Sequence, residues 1–470
     1  MLAQDAKPIE FKFLADLPVV VQRHQGQLTS DAGLLPIAEF DRRSNFTARM
    51  AACLDEPPRA DRRQSHRRPQ TQHQQIEMLR QRVFGIIAGY EDCNDHDTLR
   101  DEPVFKLIAD RLPDDSALAS QPTLSRFENS VTPASLQRLI DFNITTGIER
   151  LKEKHGGALP ARITLDLDAT DDPTHGDQQL TLFHGYFGQY QYFPLIISEP
   201  TTKHIFLAWL RPGTVHASVG ADDDLMRVVN ALRQERPDIQ IHVRGDGGFG
   251  LPLMYEICEN NGLTYTFGFS TNPRLKKLTE LLLQRAVEQH QQSQQKQRLF
   301  DCFPYQCDSW SFPRTLIAKA ECHDGGTNQR FVVTNLPGVS SAEDGQRVYD
   351  DYVQRGESEQ RMDELKNGLH MDRLSCHRFM ANFFRLLLHV GAMNLLGALR
   401  QSQALPQVLQ VGQPCTWRTT LIKVAAIIVQ STRRIVVKVA ANWPWWPIYQ
   451  AVAARAVSLL PDPALCLPGS

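Results

Sequence analysis

The sequence predicts an α/β fold: a mixed sheet with helices, preceded by a mainly helical N-terminal region. Two observations carry this. Residues 1 to about 150 show apolar positions at helical spacing, as in Ile76, Leu79, Val83, Ile86 and Ile87. From about residue 160 the texture changes to alternation, with Ile163, Leu165 and Leu167 on one side and Thr164, Asp166, Asp168 and Thr170 on the other. The order that follows is strand, hairpin, helix, strand, helix, strand, which belongs to a mixed α/β domain.

Taken along the chain, Ser30 is placed to cap a helix through Asp31–Arg43, and residues 71–89 form a helix stopped at Gly89. Pro103–Leu112 and Thr132–Leu151 read as two more helices. Between them lies QPTLSRFENS, whose Ser125 and Arg126 are candidates to face a ligand. ARITLDLDAT, TLFHGYFGQ, QYFPLIISEP and HIFLAWLRPG are β-rich runs, with Pro200, Thr201 and Thr202 turning the last two into a hairpin. Asp222–Glu235 is an amphipathic helix whose acidic start suits the helix dipole. IQIHVRG is a strand, GDGGF a glycine turn, Pro252 opens a helix that Gly262 ends, and LTYTFGFS is a further strand. A Gln-rich helix (Leu275–Gln297) and strands around Leu299–Tyr305, Thr315–Ala320 and Arg330–Leu336 form an insertion. Phe379–Leu399 is apolar enough to be core, and residues 419–441 carry two strands around Ser431 and Thr432.

Composition narrows the class. The chain has 470 residues, 42% hydrophobic and 22% charged, as in ordinary globular proteins of two or three domains. No apolar run approaches the ~20 residues of a membrane span, and MLAQDAKPIEFKF lacks the basic-then-apolar order of a signal peptide. The nine cysteines are irregularly spaced, which suits reduced thiols rather than a disulfide framework. Cys302, Cys307, Cys322 and His323 do not repeat as paired C-x2-C ligands and read as core residues before a zinc site. The net charge of −2 hides an asymmetry. Residues 59–68 hold five arginines (59, 62, 63, 67, 68) against one acid, and residues 401–461 hold Arg418, Lys423, Arg433, Arg434, Lys438 and Arg455 with no acid. Basic ends around an acidic middle suit a protein that grips a polyanion while holding cations.

The chemistry-bearing residues are acids in three places. Asp166 and Asp168 share the polar face of one strand, Asp246 follows another in Arg244-Gly245-Asp246-Gly247-Gly248, and Glu359 lies on a late helix. Tyr352, Arg355, Glu359 and Lys366 recur as Y-x2-R-x3-E-x6-K. On a continuous helix these four fall within a sector of roughly 60°. Glu357 and Glu364 fall roughly 120–140° from Tyr352, whereas Asp363 shares the face. Hard divalent cations take such oxygen ligands, and a pair of them activates the attacking oxygen and neutralises the leaving one in phosphodiester chemistry. Taken singly, each feature has a plainer reading: an edge-strand solvent face for Asp166 and Asp168, a turn for GDGG, a solvated helix for the late segment.

The sequence resembles the DDE transposases of bacterial insertion sequences that carry a Tyr-Arg-Glu-Lys signature, most closely the thirteen-eighty group. The resemblance rests on LDLDATDDPTHG (165–176), GYFGQYQYFPLII (185–197), VRGDGGFG (243–250), FVVTNL (331–336) and YVQRGESEQRMDELKNG (352–368). It implies a ribonuclease-H-like catalytic core with a β-rich insertion before the last catalytic helix. It implies Mg²⁺-dependent cleavage at the terminal inverted repeats and strand transfer into target DNA, with two ions and with Mn²⁺ able to substitute. It assigns Asp168, Asp246 and Glu359 as catalytic metal ligands, with Asp166 and Asp363 as lesser candidates, and Tyr352, Arg355 and Lys366 as contacts to DNA phosphates. Arg62, Arg63, Arg67 and Arg68 join them as a DNA-binding run. The implied layout is a helical DNA-binding domain (1–155), the core's first part (156–271), the insertion (272–345), the last catalytic helix and its successor (346–400) and a basic C-terminal segment (401–470). The implied partners are double-stranded DNA and a second copy of the chain, in the bacterial cytoplasm at the nucleoid. In related enzymes a tryptophan of the insertion stacks on a flipped base, and Trp310 lies in that segment, where core packing is the competing reading. Two alternatives use the same residues: a ribonuclease-H-like nuclease or resolvase without strand transfer, and a catalytically inactive DNA-binding derivative.

Overall fold

A computed structural model describes residues 8–11, 17, 19–22, 26–55, 73–401 and 405–458. The arginine run 59–68 lies outside the described residues. The centre is an eight-stranded mixed sheet. Its strands are β1 (Arg162–Ala169), β2 (Leu195–Glu199), β3 (His204–Trp209), β4 (Gln240–Gly245), β5 (Thr264–Phe269), β6 (Gln297–Tyr305), β7 (Arg314–His323) and β8 (Gly326–Thr334), in spatial order β6-β7-β8-β5-β4-β1-β2-β3. β1, β4 and β5 run parallel at the centre, and every other pairing is antiparallel. The hairpin at Pro200–Thr202 forms as expected. The strands β6, β7 and β8, expected as an insertion, continue the main sheet through β8 against β5.

Parallel neighbours need a crossover long enough to return the chain. Ala221–Glu235 (α3) supplies it between β3 and β4, and Pro252–Asn260 (α4) between β4 and β5. The order β1-β2-β3-helix-β4-helix-β5, with the strands arranged 3-2-1-4-5, is that of a ribonuclease-H-like core. Helix α3 begins with Asp222, Asp223 and Asp224 at its positive end, as its sequence suggests.

The N-terminal helices are layered on this sheet. Gln75–Ala88 (α1) stops at Gly89, whose φ of 92° is one that side chains rarely adopt. Pro133–Lys154 (α2), capped by Thr132, packs on β3, and the almost wholly buried Phe379–Arg400 (α7) packs on β3, α1 and α2. Helix α7 is long and apolar enough to cross a membrane, but protein covers it, so it is the core helix its composition indicates. Two expectations shift locally. The first helix begins at Leu34, with Gly33 at its cap and Ser30 bonded to Asp31 instead. Pro103–Leu112 shortens to Pro103–Ile108, and QPTLSRFENS is helical over Gln121–Asn129.

Sealing this core carries a pH cost. His204 and His389 are fully enclosed, and burial pushes both imidazoles down to about 3; burial, with Arg244 and Arg162 nearby, pushes His242 down to about 4. His204 Nε2 faces the Asn143 carbonyl at 2.9 Å and His389 Nδ1 the Arg385 carbonyl at 2.7 Å, contacts that suit neutral rings donating their N–H. In the unfolded chain these groups take up protons below their ordinary value of 6.5. The unfolded state therefore binds more protons as the pH drops. Stability is expected to fall from about pH 6.5 towards pH 4, each imidazole contributing up to about 1.4 kcal/mol per pH unit. Urea midpoints measured at neutral pH and in mild acid test this; a midpoint that holds or rises in acid contradicts it.

Candidate active site

The site forms where the two central parallel strands end. Gly245 of β4 pairs with Leu167 of β1, so the next residues on each strand, Asp246 and Asp168, lie side by side. Neighbouring strands are ~4.8 Å apart, and these residues continue the face that carries Arg244 and Asp166. The carboxyl ends of parallel strands are where open α/β sheets place their ligand crevices. Asp168 is nearly buried, and Asp246 is half-buried with its Oδ1 accepting the Gly248 N–H at 2.9 Å. Glycine is required close by: a Cβ on Gly268 would stand 2.7 Å from the Gly247 nitrogen and 2.8 Å from the Tyr352 hydroxyl.

The late segment approaches from above, and not as one helix. Ala342–Val353 (α5) ends just past Tyr352, a turn at Gln354 and Arg355 follows, and Gly356–Asp363 (α6) resumes before a π-helical stretch over Glu364–Gly368. The single wheel through Tyr352, Arg355, Glu359 and Lys366 is therefore corrected. The turn at Arg355 aims its guanidinium at the strand ends. Nη1 lies 3.3 Å from Asp168 Oδ1, and Nη2 lies 2.9 Å from Glu359 Oε1. Burial alone would lower the Arg355 guanidinium, but Asp168, Tyr352, Glu359 and Asp246 hold it above the ordinary arginine range. Burial likewise raises the Tyr352 phenol, with Arg355 opposing. Asp168, Asp246, Tyr352, Arg355 and Glu359 thus form one electrostatic group.

Lys366 stands to one side. Its Nζ lies 2.9 Å from Asp171 Oδ1, 2.8 Å from the Asp171 carbonyl and 3.2 Å from Thr170 Oγ1, which fastens the loop after β1. Burial raises the Asp171 carboxyl, and Lys366 outweighs it to hold the group below its usual range.

Asp166 and Asp168 part company here. Asp166 is fully buried, contacting Arg244 at 2.7 and 3.1 Å and Arg361 at 3.0 Å. Arg361 also reaches Ser198 at 3.2 Å. The polar side of β1 is therefore no solvent face, because α6 brings Arg361 to Asp166 and the turn before it brings Arg355 to Asp168. Asp166 ties α6 to the sheet, while Asp168 meets Arg355 at the strand end. Asp363 is exposed and accepts from Asn367 at 2.6 Å. Glu364 is buried against Arg400 at 2.7 Å.

Two-ion phosphodiester chemistry needs hard oxygen donors around a shared point. Asp168, Asp246 and Glu359 are such donors, and a positive charge already bridges two of them through Arg355. The donor chemistry fits a divalent cation. Among the described residues, however, no three His, Cys, Asp or Glu side chains are gathered closely enough to hold a metal ion.

Other expectations resolve around the site. Trp310 is buried among Tyr255, Phe269, Tyr305 and Arg314, as a core residue. Of the basic C-terminal residues, Lys423 pairs with Asp31 at 2.6 Å, Arg418 donates to the carbonyls of Ile86 and Ile87, and Arg455 approaches Glu153 at 4.0 Å. Arg433, Arg434 and Lys438 stay exposed on and beside the hairpin of β9 (Ala426–Gln430) and β10 (Ile435–Val439). The sequence reading missed Arg244 and Arg361 as the partners of Asp166. It also missed Ser270, Thr271 and Arg330, which border an opening beside Asp246. Arg244 had a local signal, lying two residues before Asp246 on the same strand face; the others come from distant elements.

No curated protein matches the chain. Among solved structures, a cryo-EM structure of the piggyBac transposase synaptic complex with hairpin DNA is 11% identical over 84% of this chain and 77% of that one, with a TM-score of 0.40, too slight a likeness to bear on fold or function. The family match is extensive: residues 11–460 fit the family described as "Transposase DDE domain group 1", and with the strand-end acids and late helix described above the chain belongs to that family of DDE-type transposases.

Proposed function

We propose that this DDE transposase serves a bacterial insertion sequence of the Tyr-Arg-Glu-Lys signature group, most like the thirteen-eighty group. It cleaves DNA at the terminal inverted repeats and joins the freed ends to target DNA. The observation that carries the reading is the adjacency of Asp168 and Asp246 at the ends of β1 and β4, linked to Glu359 through Arg355. Those three carboxylates would hold divalent cations, Mg²⁺ or Mn²⁺, which when bound activate the attacking oxygen and neutralise the leaving one.

The chain's own residues supply the rest. Arg355 is poised to exchange its carboxylate contacts for a DNA phosphate, where a planar fork of donors suits phosphate oxygens. Tyr352 offers a hydroxyl beside it. Lys366 keeps the Thr170–Asp171 loop in place and lies within reach of a strand passing over β1. Sequence-independent grip would come from Arg62, Arg63, Arg67 and Arg68 with the hairpin cations Arg433, Arg434 and Lys438, and would weaken steeply with salt. Residues 1–155 would read the repeats, and two copies would pair two ends, in the bacterial cytoplasm at the nucleoid.

A nuclease or resolvase would use the same acids but stop at cleavage. Incubating a pre-cleaved repeat end with plasmid DNA in Mg²⁺ separates the two. Joined product is expected; nicking without joining would replace the transposase reading by the nuclease one.

A further inference from the structure

An opening of about 380 Å³ adjoins Asp246 on its β5 side. Its floor is Asp246, Gly247 and Gly268. Its walls are Ser270 and Thr271 after β5, Arg330 on β8, Tyr349 and Tyr352 on α5, and Arg355 of the turn that follows, whose guanidinium is engaged by Asp168 and Glu359. The volume lies at the lower end of the ~300–1,000 Å³ typical of small-ligand sites, so it admits one nucleotide-sized group and not a duplex. The lining suits that group. Hydroxyls at Ser270, Thr271, Tyr349 and Tyr352 can meet phosphate and sugar oxygens, and Phe269 and Phe331 add apolar surface.

Arg330 is the distinctive member. It is exposed, and among the described residues no carboxylate pairs with it. It stands opposite Lys319 across the strand pair, and Lys319 is occupied by Glu321 at 3.0 Å. Like charges directly opposite on a sheet are unfavourable, so Lys319 gives Arg330 no favourable charge partner across the pair. An arginine left unpaired beside a strand-cleaving site is suited to a phosphate.

We infer that this opening is a single-nucleotide subsite, and that Arg330 binds the phosphate next to the scissile one on the Asp246 side. The inference rests on reading Asp246 as part of the catalytic site. Substitution of an exposed residue is not expected to disturb folding.

The test uses the full chain and a short duplex from the inverted repeats flanking the gene, with Ca²⁺ in place of Mg²⁺ to hold back cleavage. Arg330→Gln is expected to weaken binding about tenfold or more, as loss of a charge-assisted hydrogen bond implies. It should also lower the slope of log affinity against log salt by about 0.9. Arg330→Lys should keep the slope. Replacing single phosphates near the cleavage position by methylphosphonate should reveal one whose neutralisation weakens the native chain and Arg330→Lys but not Arg330→Gln. Native affinity and slope in Arg330→Gln, or methylphosphonate effects that match the native chain at every position, overturn the subsite. Normal end cleavage by Asp246→Ala would instead overturn the catalytic reading beneath it.

Discussion

Asp246→Ala and Glu359→Ala are each expected to lower end cleavage by more than about 10³-fold while changing DNA affinity little. Loss of an outer-shell partner of a metal ligand typically costs ~10–100-fold, and removal of a ligand should exceed that. Neither residue anchors the fold. Asp246 is half-buried and accepts the Gly248 N–H, while the Glu359 side chain is 67% exposed and pairs with Arg355. Removing either carboxylate also lowers negative charge near the DNA strand, so binding should hold or tighten slightly. Gel-based cleavage of a labelled repeat end, run beside a binding titration of the same duplex, separates the two effects. Either variant cutting at the native rate would remove its residue from the site.

The two neighbouring aspartates of β1 should behave in opposite ways. Asp166→Ala leaves the buried guanidinium of Arg361 without a carboxylate and that of Arg244 with only Asp351, at 3.6 Å. Breaking a buried pair by deleting one partner costs about 3–5 kcal/mol, a large fraction of the ~5–15 kcal/mol that holds most domains folded. The loss should appear as a lower urea midpoint, with α6 released from the sheet. Asp168→Ala removes, among its interactions, a 3.3 Å contact to the Arg355 guanidinium, which Glu359 still engages. It should cost far less stability and nearly all cleavage. If Asp166→Ala unfolds at the native midpoint, the buried network has been misread. If Asp168→Ala cuts normally, the first acid lies elsewhere.

This pair shows where sequence was enough and where it stopped. Period-two alternation correctly made 162–169 a strand and put Asp166 and Asp168 on one side, but a strand period cannot separate residues two apart. What separates them is Arg361, 195 residues away, together with Arg244, 78 residues away. Long-range pairing of that kind leaves no local pattern. The strand-helix-strand order from 160 to 270 was legible because each element carries its own periodicity and its own stop, such as Gly262 with φ 62°. The late segment was legible in residue choice and not in shape. Tyr352, Arg355 and Glu359 do converge, yet by way of a turn at Gln354 and Arg355 rather than a single helical face. Lys366 follows a π-helical stretch and points to Asp171. The basic C-terminal segment was legible only as composition, since Lys423 and Arg418 turn out to be structural.

The proposed function requires Asp168, Asp246 and Glu359 to share metal ions at the ends of β1 and β4. The most direct measurement is anomalous scattering from Mn²⁺ in a crystal of the chain bound to a pre-cleaved repeat end. A peak is expected within ligand distance of both Asp168 and Asp246, with a contact from Glu359 and the Arg355 guanidinium moved from these carboxylates to a DNA phosphate. A peak held by other acids, or Arg355 still bridging Asp168 and Glu359 with no metal beside them, would contradict it.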